Sequence, residues 1–184
     1  MATLDSIWFN QHSICAAEKL IGCYLIANNR TYLIVETEAY RGTDDPASHA
    51  YRGVTTRNEP MFQNPGHIYV YLIYGMHHCL NITTEEKGTP GAVLIRGIYD
   101  TCAKKLISGP GRVCKELQID LRINRRTLAK AQLRIIAGIE LQVTRTSRIG
   151  IKVGTDLKWR FCAEDLSTDA VQKAVHNSVD KLDW

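Results

Sequence analysis

The sequence lacks the motifs of several large enzyme classes. It contains no P-loop, no GxGxxG and no GxSxG, which argues against nucleotide-triphosphate chemistry and serine hydrolysis. Apolar residues nowhere reach the length of a membrane span, and the N-terminal MATLDSIWFN has no basic region followed by a long apolar segment. We therefore expect a cytoplasmic protein that makes no contact with a membrane.

Metal-binding patterns are missing as well. Adjacent His77 and His78 would point to opposite faces of a strand. No histidine stands at a zinc-ligand spacing from a cysteine, and no CxxC pair occurs among the six cysteines, at positions 15, 23, 79, 102, 114 and 162. We expect buried free thiols and no metal.

Charge is distributed unevenly along the chain. The net charge is +4, but residues 103–160 contain fourteen Lys and Arg against four Asp and Glu, so the rest of the chain carries −6. A basic region of this kind favours binding to a polyanion, because each neutralised phosphate releases counterions. The solvated face of an ordinary protein would explain the charge equally well.

Hydrophobic patterning indicates α+β architecture in one domain. With 184 residues, 45% of them apolar, the chain is long enough for one core, and two small domains are less favoured. Strands outnumber helices, so we expect a largely antiparallel sheet with peripheral helices. The predicted elements are a helix over 14–21, strands over 22–27 and 31–40, a hairpin in HIYVYLIYGMHHCLNIT, a strand in GAVLIRGIY, a helix after SGPGR, a short helix or helical turn in TLAKAQLRII, strands over 139–145 and 148–153, and a C-terminal helix.

The segment IVETEAY ends the second predicted strand with two carboxylates and a phenol. Strand alternation would place Ile34, Glu36, Glu38 and Tyr40 on one face. This pattern suggests a polar pocket beside a core. Arg96 interrupts an aliphatic strand and needs an anionic partner, because burial of an unpaired charge is costly. Glu36 or Glu38 is the obvious candidate.

Other aromatic and polar residues suit a base-binding pocket. Tyr40, His49 and Tyr71 offer flat π surfaces that could sandwich a planar base, although a tyrosine taken singly is more often ordinary core. Asn81 lies on a strand face that is unusually polar. Tyr74, at the predicted hairpin turn with Gly75, could insert between bases or could pack across the strands.

A glycine-rich turn precedes the predicted helix of SGPGRVCKELQI. Free backbone amides at the helix start could hold a DNA phosphate, with Gly109, Gly111 and Arg112 as candidates. A plain helix-capping turn is an equally good interpretation.

Four segments together carry a specific resemblance. IVETEAYRGTDDPASHAYRG, TTRNEPMF, PGHIYVYLIYGMHHCLNI and AVLIRG, in this order and spacing, closely resemble the alkyladenine DNA glycosylase family, also called 3-methyladenine or methylpurine DNA glycosylases. A weaker resemblance extends through LISGPGRVCKEL and RIGI to KWRF, so about residues 8–161 are covered. The resemblance implies one mixed domain over 1–184, with a curved antiparallel sheet, a protruding hairpin and a divergent tail over 162–184.

The resemblance also implies the reaction. Family members hydrolyse the N-glycosidic bond between a damaged purine and deoxyribose, without a metal or cofactor, and begin base excision repair. By motif, Glu38 is expected to be the general base that activates water, and Arg96 to help hold that water and the carboxylate. The expected lesions are 3-methyladenine and 7-methylguanine, with hypoxanthine and ethenoadenine as harder, neutral substrates. No lysine accompanies the Glu38 motif, so a monofunctional enzyme is expected.

The remaining matched residues are expected to bind DNA. Tyr74 matches the aromatic that fills the gap left in the duplex, and Met61 is expected to contact the opposite side of the opening. The resemblance assigns the flipped base to a pocket of Tyr40, His49, Tyr71 and Asn81, where the asparagine disfavours normal guanine.

Duplex DNA containing a damaged purine is thus the expected partner, bound by a monomer without an obligate protein partner. Two alternatives remain. A non-catalytic module could bind distorted duplex DNA while Glu38 only pairs with Arg96, or the chain could hydrolyse nucleosides or another N-glycoside. The chain departs from the family pattern at His78, where an aromatic is common, and in its acidic tail.

Overall fold

Nine strands and three short helices form the part of the chain that the computed structural model describes, residues 2–164 and 166. The helices are α1 (Ser6–Phe9), α2 (Ser13–Lys19) and α3 (Pro110–Glu116). The strands are β1 (Tyr24–Ala27), β2 (Arg30–Tyr40), β3 (Ile68–Ile73), β4 (His77–Thr83), β5 (Ala92–Asp100), β6 (Lys105–Ser108), β7 (Arg134–Ile136), β8 (Val143–Thr146) and β9 (Arg160–Ala163). Within these residues, no helix has the length and apolar character needed to span a membrane.

All nine strands belong to one antiparallel sheet, as the sequence predicted. Its main path runs β3-β4-β5-β2-β1-β7, while β6 pairs with β5, and β9 joins β2 to β8. The long strands β2 and β5 form the central pair, and each changes its outer neighbour halfway along. β2 pairs first with β1 and then with β9, and β5 pairs first with β4 and then with β6. The sheet therefore branches on both sides of its central pair and curls.

An irregularity in the central pair lies where both strands change neighbours. Glu36 pairs with Gly97, and the register shifts on both sides of this pair, so Val35 and Arg96 have no partner in the ladder. An extra residue reverses strand alternation locally. The expectation that Ile34 shares a face with Glu36 and the residues after it is therefore wrong: Ile34 is fully buried in the main core.

The main core lies between the sheet and the helices α2 and α3. Apolar side chains of α2, β1, β2, β4, β5 and α3 form one cluster, which includes Leu20, Ile34, Leu80, Ile95 and Val113. A buried hydroxyl also joins the layers, because Thr37 of β2 donates a 2.7 Å hydrogen bond to the carbonyl of Ala17 in α2. Burial of this face leaves the other side of β2 free to carry polar groups.

The late part of the chain differs from the sequence-based prediction. Residues 148–153 were expected to form a strand but do not, because Gly150 and Gly154 adopt positive φ angles of 79° and 63° that interrupt an extended backbone. The strands β6 and β9 were not predicted. TLAKAQLRII forms one 3-10 turn, Ala129–Ala131, followed by β7. The predicted C-terminal helix lies outside the described residues.

Gly97 allows β5 to lie against the Glu36 side chain. A Cβ atom at this position would lie 2.8 Å from the Glu36 Cβ and 3.1 Å from its Oε2. We expect Gly97→Ala to lower the free energy of unfolding by about 1–3 kcal/mol through overpacking. Urea denaturation of both proteins would measure this change.

Ser108→Ala provides the matched control, since Ser108 is the exposed partner of Gly97 on β6. This change should alter the free energy of unfolding by less than about 0.5 kcal/mol. Equal stability of Gly97→Ala and the wild type would contradict the close approach of β5 to Glu36.

Candidate active site

Glu38 is a carboxylate buried within the sheet. Its side chain has no solvent exposure, and both oxygens accept hydrogen bonds. Oε2 accepts one from the Tyr40 hydroxyl at 2.8 Å, and Oε1 accepts one from the Ile149 amide at 2.7 Å. The Arg96 Nε atom lies 3.4 Å from Oε1. Since a carboxylate oxygen has two lone pairs, Glu38 retains the capacity to bind a further proton donor.

The surroundings of Glu38 act on its acidity in opposite directions. Burial is the largest influence and raises the pKa of its carboxyl above the ordinary value. The charge of Arg96 and the hydrogen bonds from Ile149 and Tyr40 oppose the rise, and the charge of Glu36 adds to it. A carboxylate of raised pKa is a stronger proton acceptor than a solvated one, which suits general-base chemistry.

A second carboxylate balances the charge of the site. Arg96 Nε donates a 3.1 Å hydrogen bond to Glu36 Oε1, so the expected anionic partner of Arg96 is present. The same oxygen accepts a 2.7 Å hydrogen bond from Arg160 Nε of β9. Arg160 in turn donates to the Thr146 hydroxyl at 3.0 Å. The result is a row of alternating charges, with two carboxylates and two guanidiniums, that crosses three strands.

An aromatic pocket opens beside Glu38. It encloses about 180 Å³, less than the roughly 300–1,000 Å³ typical of drug-sized ligands, so it suits one small planar group. The rings of His49 and Tyr71 meet edge to face, with centroids 4.6 Å apart, and the His49 Nδ1 lies 2.9 Å from the Tyr69 hydroxyl. Among the lining residues are Tyr40, His49, Arg57, Tyr69, Tyr71, Cys79, Asn81 and Arg96.

The aromatic and imidazole side chains that line this pocket are uncharged at neutral pH, whereas Arg57 and Arg96 bring two guanidiniums to its lining. Burial raises the pKa of Tyr69 to about 12 and also raises the pKa values of Tyr40 and Tyr71, so the three hydroxyls stay protonated. Withdrawal from water, together with the charge of Arg57, lowers the pKa of His49 and keeps this imidazole neutral. The pocket therefore offers neutral aromatic faces and hydrogen-bonding groups.

The polar pocket residues are held in place by the hairpin. The Asn81 amide is buried and donates to the backbone carbonyls of Tyr69 and Cys79, at 3.0 and 3.2 Å. Arg57 donates to the Leu72 carbonyl at 3.0 Å and lies over the Tyr71 ring at 5.2 Å. The β3-β4 pair thus fixes one wall of the pocket.

The hairpin turn presents two large side chains to solvent. Tyr74, as predicted from the sequence, lies at the turn, and it is 83% exposed with a φ of 53°. Met76, two residues later, is 69% exposed and was not singled out from the sequence. An exposed aromatic side chain beside the pocket mouth has the location that duplex insertion requires.

Met61 does not occupy the exposed position expected from the sequence. The 3-10 turn Glu59–Phe62 directs its side chain inward, where it is 1% exposed and packs with Ala50, Tyr69 and Ala92. A side chain so deeply buried has no surface from which to enter a duplex. In this structure Met61 is part of the pocket wall.

The glycine-rich turn before α3 packs against the hairpin. Gly109 precedes the helix with a φ of 102°, and Arg112 is exposed. A Cβ atom at Gly111 would lie 3.1 Å from the Cβ of His77, so this close approach favours a glycine. The phosphate-binding role of this turn stays a prediction.

A buried ion pair that the sequence analysis missed lies next to the residues that contact Glu38. Arg148 donates to both carboxylate oxygens of Asp45 at 2.7 Å, and neither side chain is exposed. The Arg148 guanidinium lies 4.7 Å from the Tyr40 ring centroid and 5.1 Å from that of Trp159. The next residue, Ile149, donates its amide to Glu38. The pair thereby ties the loop after β2 to the backbone that contacts the carboxylate.

Signals for these missed residues were present in the sequence. Arg148 begins the segment RIGI, and Asp45 lies in the polar TDDP, both within segments that carry the family resemblance. Nothing in the sequence shows that they meet, since they lie 103 residues apart. Among residues 2–164 and 166, no group of three or more His, Cys, Asp or Glu side chains could hold a metal ion.

The sheet, the buried carboxylate and the aromatic pocket together have the character of a hydrolase that accommodates a planar base. The sequence pattern of the methylpurine-DNA glycosylases matches residues 7–167, and the chain belongs to this family. The enzyme class expected from the sequence, a DNA glycosylase that repairs alkylation damage, is confirmed by this membership.

Three bacterial relatives bear the name "Putative 3-methyladenine DNA glycosylase". The protein of Ehrlichia chaffeensis is 43% identical over 89% of this chain and 94% of its own length. That of Rickettsia felis is 42% identical over 86% and 92%. That of Ehrlichia ruminantium is 40% identical over 90% and 91%. The similarity therefore extends over nearly the whole length of each protein.

The Arg148–Asp45 pair should be essential for stability. Arg148→Gln leaves the Asp45 carboxylate buried without its cation, and we expect a loss of about 3–5 kcal/mol in the free energy of unfolding. Arg145→Gln is the matched control, because Arg145 makes an exposed pair with Glu18; its loss should cost less than about 1 kcal/mol. Denaturant titration of the two variants would compare them. Equal losses of unfolding free energy in the two variants would show that the buried pair stabilises the fold no more than the exposed pair does.

Proposed function

We propose that this chain is a monofunctional glycosylase that flips 3-methyladenine and 7-methylguanine out of duplex DNA and hydrolyses their N-glycosidic bonds. The observation that carries the proposal is the buried Glu38 carboxylate, which lies beside a pocket of neutral aromatic walls. The product would be free base and an abasic site, the first intermediate of base excision repair. Duplex DNA is the partner that the family membership implies.

The charge of the lesion explains why one carboxylate is enough. A purine alkylated at N3 or N7 is cationic, so it leaves with the glycosidic electron pair as a neutral base. The sugar C1′ then develops positive charge, which the ionised Glu38 stabilises. Glu38 also accepts the proton of the water whose oxygen attacks C1′. Arg96, 3.4 Å from the carboxylate, would help orient that water.

The pocket residues would recognise the base by stacking and hydrogen bonding. Tyr40, His49 and Tyr71 contribute ring surface, and a cationic base is attracted to the faces of such neutral rings. Asn81, whose amide is fixed by two backbone carbonyls, would crowd the exocyclic amine of a normal guanine. Neutral lesions such as hypoxanthine and ethenoadenine need help for the leaving base, and we propose that they are excised more slowly.

Outside the pocket, the hairpin would hold the opened duplex. Tyr74 would fill the gap left by the flipped nucleotide, and exposed Arg57 would lie near the sugar-phosphate backbone. The turn at Gly109, Gly111 and Arg112 could contact a further phosphate. We also propose that the protein acts as a monomer, because one site acts on one strand. Its proposed location is the cytoplasm.

The absence of lysine from the pocket lining supports a monofunctional reaction. None of the described residues that line the pocket is a lysine, and a Schiff base with C1′ requires an amine nucleophile. Strand cleavage should therefore depend on added alkali. The alternative, a non-catalytic module for distorted duplex DNA, shares the hairpin and the basic region but gives Glu38 no role beyond its contact with Arg96.

Replacing Glu38 distinguishes a glycosylase from a non-catalytic DNA-binding module. We expect Glu38→Gln to bind lesion-containing duplex normally but to release base roughly 10²–10⁴-fold more slowly, the typical contribution of a general base. The assay measures strand breaks after hot alkali on duplexes that carry one methylated purine, one hypoxanthine or one ethenoadenine.

Glu86→Gln, a change in the exposed loop after β4, serves as the control and should retain full activity. Excision by Glu38→Gln at the wild-type rate would remove Glu38 from the mechanism. Binding without excision by the wild type would favour the non-catalytic module.

The exposed turn of the hairpin should be required for stable capture of the lesion. Tyr74→Ala removes a ring whose stacking on bases contributes ~1–3 kcal/mol, so affinity for lesion duplex should fall by roughly 5-fold to 150-fold. Fluorescence anisotropy at fixed salt would measure the dissociation constant. Tyr51→Ala, at a second exposed tyrosine in the loop after β2, should leave affinity unchanged. Equal losses in the two variants would contradict insertion by the hairpin.

A further inference from the structure

Glu36 has no part in the proposed reaction, yet it is buried and tightly held. Its side chain lies in the irregular part of β2, and Oε1 accepts hydrogen bonds from Arg96 at 3.1 Å and Arg160 at 2.7 Å. Arg160 is the register partner of Glu38 on β9. Its guanidinium therefore reaches past Glu38 to the neighbouring carboxylate.

The geometry of Arg96 shows that it is shared unequally between the two carboxylates. A guanidinium Nε carries one hydrogen, and Arg96 directs it at Glu36 Oε1. Its 3.4 Å contact with Glu38 is an ion contact without a hydrogen bond. The hydrogen bonds to Glu38 come instead from the uncharged Tyr40 hydroxyl and the Ile149 amide.

We propose that Glu36 and Arg160 form a positioning pair that holds Arg96 short of a full salt bridge with Glu38 and thereby keeps Glu38 free to accept a proton from water. The inference rests on the proposed function, since it concerns the same base. Neither Glu36 nor Arg160 needs to touch the substrate.

Removal of Glu36 and removal of Arg160 should change the basicity of Glu38 in opposite directions. Without the negative charge of Glu36, Arg96 would turn to Glu38, and the carboxylate would become a weaker base. Without the positive charge of Arg160, the site would carry an extra negative charge, and Glu38 would be harder to ionise. The charged and titratable groups of the described residues that face Glu38 are Arg96 of β5, Glu36 and Tyr40 of β2, Tyr71 of β3, Cys79 of β4, and Arg160 and Cys162 of β9.

The pH dependence of excision tests this balance. Under single-turnover conditions with 7-methylguanine duplex, the rate should fall at low pH as Glu38 becomes protonated. Glu36→Gln should move this acid limb to lower pH by roughly one unit and reduce the plateau rate by roughly tenfold. Arg160→Gln should move the limb to higher pH, whereas Arg160→Lys, which retains the charge, should restore most of the wild-type profile.

Glu18→Gln is the matched control, because Glu18 forms an exposed ion pair with Arg145 outside the site. It should leave the limb in place. A purely structural role for Glu36 and Arg160 would reduce the rate at every pH without moving the limb. Unshifted limbs in both Gln variants, or shifts in the same direction, would overturn the proposal.

A second measurement does not depend on activity. The carboxyl of Glu38 can be titrated by ¹³C NMR in protein labelled at glutamate, with its resonance identified by comparison with Glu38→Gln. The midpoint should fall in Glu36→Gln and rise in Arg160→Gln. If the wild type excises no lesion, the proposed function fails, but these midpoints still decide whether the pair controls Glu38; unchanged midpoints would reject it.

Discussion

The structure depends on the burial of Glu38 on the face of β2 that points away from the main core. A carboxylate without exposure is costly unless hydrogen bonds and counter-charges compensate for lost hydration. The site supplies a tyrosine hydroxyl, a backbone amide and a nearby guanidinium. These groups do not satisfy all four lone-pair positions. The carboxylate is therefore stable as an anion yet able to bind water, which is the condition for its chemistry.

The curvature of the sheet and the placement of charge share one origin. β2 and β5 both change neighbours near the pair formed by Glu36 and Gly97, and Arg96 has no ladder partner there. The loss of regular alternation directs Glu36 and Glu38 away from the main core, so both reach Arg96. The same irregularity therefore bends the sheet and assembles the site. The Arg148–Asp45 pair then fixes the loop that completes it.

The sequence predicted those features that depend on local patterns. The prediction of the hairpin was correct because strand alternation and the Tyr74-Gly75 turn are visible within a few residues. The prediction of an acidic partner for Arg96 was correct because its strand is otherwise aliphatic. Features that depend on distant pairing were missed. The strand β9 pairs with β2 across more than a hundred residues, and the register shift at Glu36 lies where this pairing begins. Met61 was misplaced because a family motif does not show which way a 3-10 turn directs a side chain.

The account requires that water occupy a defined place between Glu38 and the sugar. The most direct measurement is a crystal structure with duplex DNA in which a cationic pyrrolidine replaces the deoxyribose of the lesion, since this ring imitates the charge that develops at C1′. We predict a water within hydrogen-bond distance of Glu38 that faces the ring, with Tyr74 inserted in the duplex and Arg96 still bonded to Glu36. A pyrrolidine outside the pocket, or Glu38 closed onto Arg96 with no water between the carboxylate and the ring, would contradict the account.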